Sequence, residues 1–191
     1  MTALWVSFAL IFLAEMGDKT QLVALTLATR YRPAIVILGI TVATTVVHLL
    51  SVFIGDVVGN WIPLFYIKVA AGLSFLGFAV WTLRGDELDD DEVKEHRWGP
   101  FMTTAIIFFL AELGDKTQLA TITLATSYDI WWTWIGSTLG MVVADGLAIA
   151  VGIVLGKRIP EKAIKYGAVT IFILFGILTI VEAFYPLNFA G

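Results

Sequence analysis

The chain has 191 residues, of which 59% are hydrophobic and only 15% charged, with a mean hydropathy of +0.88 and a formal net charge of −4. Soluble domains carry about 25% charged residues and nucleic-acid binders present basic surface, so composition all but excludes a soluble enzyme and a nucleic-acid partner. Cysteine is absent, which removes disulfides and thiolate metal sites.

Roughly 20 consecutive apolar residues cross a bilayer, and six such segments follow one another, at 4–29, 34–58, 65–83, 101–126, 131–155 and 164–185. Each is predicted as a transmembrane helix, which makes the lipid bilayer the protein's surroundings. Pro33, Pro63, Pro100, Pro160 and Pro186 all fall at segment ends, where a residue without an amide proton is tolerated. The first segment does not read as a cleavable signal peptide. No basic residue precedes it, and its apolar run contains Glu15, Asp18 and Lys19.

Between the third and fourth segments lies GDELDDDEVKEHRWG, residues 85–99, which holds seven of the sixteen acidic residues. It reads as a solvated acidic linker on the cytoplasmic side. It separates a first three-helix unit, 1–84, from a second, 100–191.

Basic residues set the orientation. The first, third and fifth loops carry Arg30, Arg32, Arg84, Lys94, Arg97, Lys157, Arg158 and Lys162, whereas the opposite loops and both termini carry no Lys or Arg. The positive-inside rule places the odd loops in the cytoplasm and both termini outside.

The two units are copies. FLAEMGDKTQLVALTLATRY, 12–31, aligns with FLAELGDKTQLATITLATSY, 109–128, at an offset of 97 residues with 15 of 20 positions identical. The offset holds without a gap through Gly39 and Gly136, Gly55 and Gly152, Gly59 and Gly156, and Lys68 and Lys165. A duplicated unit with three spans enters the membrane from opposite sides. The predicted fold is therefore an all-α membrane protein with six transmembrane helices as two inverted-topology repeats of three. Secondary transporters are built this way, with substrate held near the midplane between the repeats.

The strongest match is also the most polar stretch. Glu15, Gly17, Asp18, Lys19, Thr20 and Gln21 recur as Glu112, Gly114, Asp115, Lys116, Thr117 and Gln118, near the middle of the first and fourth segments. A charge at the bilayer centre costs a few kcal/mol even on lenient insertion scales (about 3), so these groups must face one another, water or a ligand. On a helix, Glu15, Asp18 and Gln21 share one face, as do Glu112, Asp115 and Gln118. Two such stripes meeting about a pseudo-two-fold axis bring four carboxylates together. Gly17 and Gly114 permit either close approach of the two segments or local unwinding that frees carbonyl oxygens.

Four carboxylates and two lysines leave a charge of −2, which a divalent cation balances. Carboxylate, amide and hydroxyl oxygens suit Mn²⁺, Ca²⁺ and Mg²⁺. Met16 would be a softer donor, but its counterpart is Leu113. Crowded carboxylates also hold protons more tightly, so one cluster can exchange a metal ion for protons. Lys19 and Lys116 each stand four residues after a glutamate and either neutralise it or hold the carboxylates until metal arrives. Thr20 and Thr117 complete or support the shell.

His48 and Asp145 occupy equivalent positions near the middle of the second and fifth segments, where they are candidates for proton coupling or support. Asp56, Lys68, Lys165 and Glu182 lie near segment ends and are expected to snorkel. Thr26, Thr29, Thr123 and Thr126 are expected to bond their own backbone.

The doubled Glu-x-Gly-Asp-Lys-Thr motif resembles the Golgi and bacterial manganese–calcium cation/proton antiporter family, which includes manganese exporters of the MneA and Mnx type. The resemblance covers essentially the whole chain, and the short N-terminus looks like the bacterial branch, in the plasma (inner) membrane. It implies a transporter that moves Mn²⁺, or in some relatives Ca²⁺, out of the cytoplasm against protons, with the ion as substrate and no cofactor. It also implies that Glu15, Gly17, Asp18, Lys19 and Thr20, with Glu112, Gly114, Asp115, Lys116 and Thr117, form the site. The alternatives are a Ca²⁺/H⁺ exchanger, a passive divalent-cation channel and, furthest behind, a membrane enzyme using paired carboxylates. A homo-oligomer is compatible with the sequence but not dictated by it.

Overall fold

The computed structural model describes residues 1–84, 99–155 and 161–185, and every regular element among them is an α-helix. Residues 85–98 of the acidic linker, Pro160 and Pro186 lie outside the described residues, as do the side chains of Lys19 and Lys165. Eight helices follow in chain order: α1 (Thr2–Glu15), α2 (Lys19–Arg30), α3 (Pro33–Trp61), α4 (Leu64–Arg84), α5 (Gly99–Glu112), α6 (Lys116–Ala125), α7 (Ile130–Leu155) and α8 (Glu161–Phe184). Pro33 opens α3 at its first position, and Pro100 stands second in α5, both at a point where no intrahelical donor is needed.

Four of the six expected segments are single helices with ends within a few residues of those read from sequence. The first and fourth are not continuous. Each is divided after its motif glutamate, so α1 and α2 together fill the first segment, and α5 and α6 fill the fourth. α3 and α7 are long and apolar enough to cross a bilayer by length and composition.

Helix pairing follows the repeat. α1 packs on α7 as α5 packs on α3, α2 packs on α7 as α6 packs on α3, and α4 pairs with α8. Exchanging the two halves maps this pattern onto itself. Two contacts join equivalent residues directly: the Thr44 hydroxyl donates to Met141 Sδ at 3.2 Å, and the rings of Phe75 and Phe172 stack at 6.4 Å. Each pair is 97 residues apart, so both lie where a two-fold relation between halves would place its axis.

The two long helices α3 and α7 expose apolar residues and bury polar ones. Leu38, Val42, Val46, Leu50 and Ile54 form an exposed stripe along α3, and their counterparts Ile135, Leu139, Val143, Leu147 and Val151 form another along α7. At 1.5 Å per residue each stripe runs about 24 Å. The inward faces of the same helices bury Thr44, His48 and Ser51 on α3 and Thr133, Ser137 and Asp145 on α7. Uninterrupted exposed apolar surface of this extent suits lipid.

The repeat's glycines mark helix crossings. A Cβ on Gly39 would meet Thr104 of α5, and one on Gly136 would strike the carbonyl of Leu4 in α1. Backbone cannot swing aside as a side chain can, so Gly136→Val should force α1 off α7, at an overpacking cost of about 1–3 kcal/mol or more. We expect a sharp fall in monodisperse protein on size exclusion. Gly146→Ala on the same helix meets nothing within 4 Å and should be tolerated; equal yields of the two variants would contradict this packing.

Candidate metal-binding site between two broken helices

Each break is built by the same local chemistry. α1 stops at Glu15 and α5 at Glu112 because the next glycine turns the chain into left-handed space, with φ of +80° at Gly17 and +85° at Gly114. These values suit glycine and strain most other residues. Asp18 and Asp115 then hold extended backbone as the caps of α2 and α6. The freed amide of Gly17 donates to Gln21 Oε1 at 2.9 Å, and that of Gly114 donates to Gln118 Oε1 at 2.7 Å. The amide oxygens expected to face a metal are therefore engaged as straps across the breaks. The Gln21 amide nitrogen reaches the carbonyl of Ala144 at 3.3 Å and ties the first break to α7.

The threonines hold the glutamates. Thr20 donates to Glu15 Oε1, and its hydroxyl oxygen lies 3.3 Å from Asp18 Oδ2. Thr117 donates to Glu112 Oε2 at 2.9 Å. Both glutamates and both threonines are fully buried, and Glu15 Oε2 and Glu112 Oε1 have no hydrogen-bond partner among the described residues. Glu15, Glu112 and Asp115 each offer an oxygen, and these atoms lie within 4.8 Å of one another. Carboxylates from both halves thus converge, with room for one oxygen-ligated divalent ion at 2.0–2.6 Å from its ligands. The C-terminal carbonyl ends of α1 and α5 add negative potential at the same place.

The fourth motif carboxylate, Asp18, is engaged by a lysine of the other half. Lys116 Nζ pairs with Asp18 Oδ1 across the halves at 2.5 Å, and both side chains are nine-tenths or more buried. Asp145 is fully buried, neither carboxylate oxygen is hydrogen-bonded among the described residues, and it lies within electrostatic reach of Asp18, Glu15 and Glu112. His48 is likewise buried with both ring nitrogens unbonded among the described residues. Met16 and Leu113 face outward.

Other expected roles divide. Thr26, Thr29, Thr123 and Thr126 bond the carbonyls of Leu22, Thr26, Leu119 and Thr123 on their own helices, as anticipated. Lys68 pairs with Glu182 at 2.8 Å and joins α4 to α8. Sequence reading passed over Phe172, whose ring lies 5.0 Å from Lys116 Nζ. Its signal was present, because Phe75 occupies the equivalent repeat position.

A helical protein that exposes apolar stripes and buries facing carboxylates at paired helix breaks has the makings of a membrane carrier for cations. The family model for the divalent cation/proton antiporter GDT1 matches residues 3–90 and 100–186. The chain belongs to the GDT1 family of divalent cation/proton antiporters, and is accordingly a multi-pass membrane transporter and not an enzyme. A candidate manganese exporter of Vibrio cholerae is 38% identical over 182 residues, covering 94% of this chain and 90% of the relative. A GDT1-like protein of Synechocystis is 30% identical over 200 residues, covering 94% and 97%. The divalent cation/proton antiporter GDT1 of Saccharomyces cerevisiae is 26% identical over 232 residues, covering 93% and 83%. No solved structure matches the chain.

Proposed function

We propose that this protein exports Mn²⁺ from the cytoplasm in exchange for entering protons. The observation that carries the proposal is the convergence of Glu15, Glu112 and Asp115 from two helix breaks, with oxygens within 4.8 Å of one another. In this reading Glu15, Asp18, Glu112 and Asp115 bind metal or protons in turn. Thr20 and Thr117 orient the glutamates, Gln21 and Gln118 brace the breaks, and Gly17 and Gly114 allow them. The ion is cargo, and no resident cofactor takes part.

The eight helices form six spans, two of them broken, in inverted repeats at 1–84 and 100–191 joined by the acidic linker. Both termini face outward across a bacterial inner membrane. Half-helices meeting at the midplane give a carrier a fixed site about which one repeat rocks on the other. Manganese is preferred as cargo because the Vibrio relative carries that name. Calcium is the alternative, since an all-oxygen ligand set accepts it as well.

Purified protein in liposomes tests this. An imposed proton gradient should drive Mn²⁺ uphill, and excess Ca²⁺ should inhibit only weakly. Strong inhibition with matching Ca²⁺ flux would make it a calcium exchanger; flux that only follows the metal gradient would defeat the exchange mechanism.

Asp145 supplies a second test. A buried carboxylate without a hydrogen bond among the described residues, near Asp18, Glu15 and Glu112, is placed to carry a proton. Asp145→Asn should flatten the pH dependence of transport and change Mn²⁺ affinity less than about twofold, well under 1 kcal/mol. An unchanged pH profile would remove Asp145 from the coupling path.

A further inference from the structure

Lys116 is poorly explained as a stabilising residue. It stands in the first turn of α6, where the positive end of the helix dipole disfavours a cation. Its ion pair with Asp18 is almost wholly buried, and burying two charges costs as much as their attraction returns, or more. It reaches past its own neighbour Asp115 to a carboxylate of the other half, while the remaining three motif carboxylates cluster without Asp18. Its ammonium also has a second anchor, the face of the Phe172 ring at 5.0 Å. That ring is itself fixed, buried and stacked on Phe75 of α4.

We propose that Lys116 is a tethered counter-cation that competes with the transported ion for Asp18, and that the Phe172 ring holds its ammonium when the ion takes that carboxylate. The proposal rests on the metal-site reading above. An ion held between the two glutamates gains the Asp18 carboxylate by displacing Lys116, and the returning ammonium helps expel it. Affinity is thereby given up for turnover. A lysine suits this role because its charge is a compact point on a flexible stem. An aromatic ring suits the other anchor, because a desolvated cation gains about 2 kcal/mol from it, roughly 30-fold in an equilibrium. The ring matters most when the ammonium has lost its counter-ion, so its removal penalises the metal-bound state.

The two anchors therefore predict opposite shifts. Equilibrium Mn²⁺ binding to the purified protein is read from the loss of the free-ion electron paramagnetic resonance signal, and transport from liposome flux. Lys116→Gln should tighten Mn²⁺ binding about tenfold and lower both KM and kcat, while Lys116→Arg, which keeps the positive charge, should not tighten binding. Phe172→Leu should weaken binding several-fold, and Phe172→Tyr, which keeps the ring face, should not. Lys116→Gln protein that folds but binds Mn²⁺ no more tightly overturns the proposal. If that variant does not fold, wild-type affinity in Phe172→Leu overturns it instead. Glu15→Gln serves as the reference. If it binds Mn²⁺ normally, the metal site itself is misplaced; if it loses binding while Lys116→Gln and Phe172→Leu show no shift, only the counter-cation role is lost.

Discussion

Glu15→Gln and Glu112→Gln should each reduce Mn²⁺ transport to the background of empty liposomes, with the protein still inserted and monodisperse. Glutamine is nearly isosteric with glutamate, so the packing of these fully buried side chains is preserved. Its carbonyl oxygen can still accept from Thr20 or Thr117, which now hold the two carboxylates. What disappears is one negative charge out of a cluster of three oxygen donors within 4.8 Å. Carboxylate ligands supply the charge that lets a site take an ion out of water, and in a buried site a lost charge-assisted contact costs about 3–5 kcal/mol. That corresponds to a loss of more than a hundredfold. The two variants should fail alike, because the glutamates come from equivalent positions in the two halves. Normal flux in both would place the site elsewhere. Loss of inserted protein in both would make the glutamates structural.

Gly114→Ala should cost most of the activity for a different reason. A Cβ at Gly114 would meet nothing within 4 Å, yet the backbone there is at φ +85°. An L-residue other than Gly, Asn or Asp pays about 1–2 kcal/mol in that conformation. The cheap escape is to let α5 run on toward α6. That would take the Gly114 amide from Gln118 Oε1 and swing Thr117 away from Glu112, two contacts now at 2.7 and 2.9 Å. We expect transport to fall about tenfold or more in liposomes, as an orienting displacement near 1 Å costs up to a hundredfold elsewhere. Gly114→Asn should retain more activity than alanine, because asparagine tolerates left-handed backbone. Equal activity in the two variants would show that the left-handed turn is not what transport requires.

Much of this protein was legible in its chain. The helix ends of α3, α4, α7 and α8 follow proline and hydropathy, since bilayer thickness and the missing proline amide act over short stretches of sequence. The motif residues could be singled out because a charge inside an apolar run must be satisfied by something, and the constant offset showed that two such sets exist. Family membership bears out the reading as a divalent cation/proton antiporter.

The repeat left other matters open. Whether Gly17 and Gly114 serve close approach or unwinding turns on backbone dihedrals, and glycine permits both; the structure shows left-handed turns that split each segment in two. Helical spacing puts Gln21 and Gln118 among the metal ligands, and only the position of the freed glycine amides directs their oxygens inward to the breaks. The pairing of Lys116 with Asp18 rather than with Glu112, four residues before it, could not be foreseen from helical spacing. The break removes the continuous helix on which that spacing depends, and it brings the two halves within reach of each other. Sequence by itself determined the composition of the candidate site and its doubling, because those follow from which residues an apolar environment will tolerate. Tertiary structure alone decided which carboxylates converge and that Lys116 reaches Asp18 of the other half, because that depends on how two equivalent breaks meet across the interface between the halves.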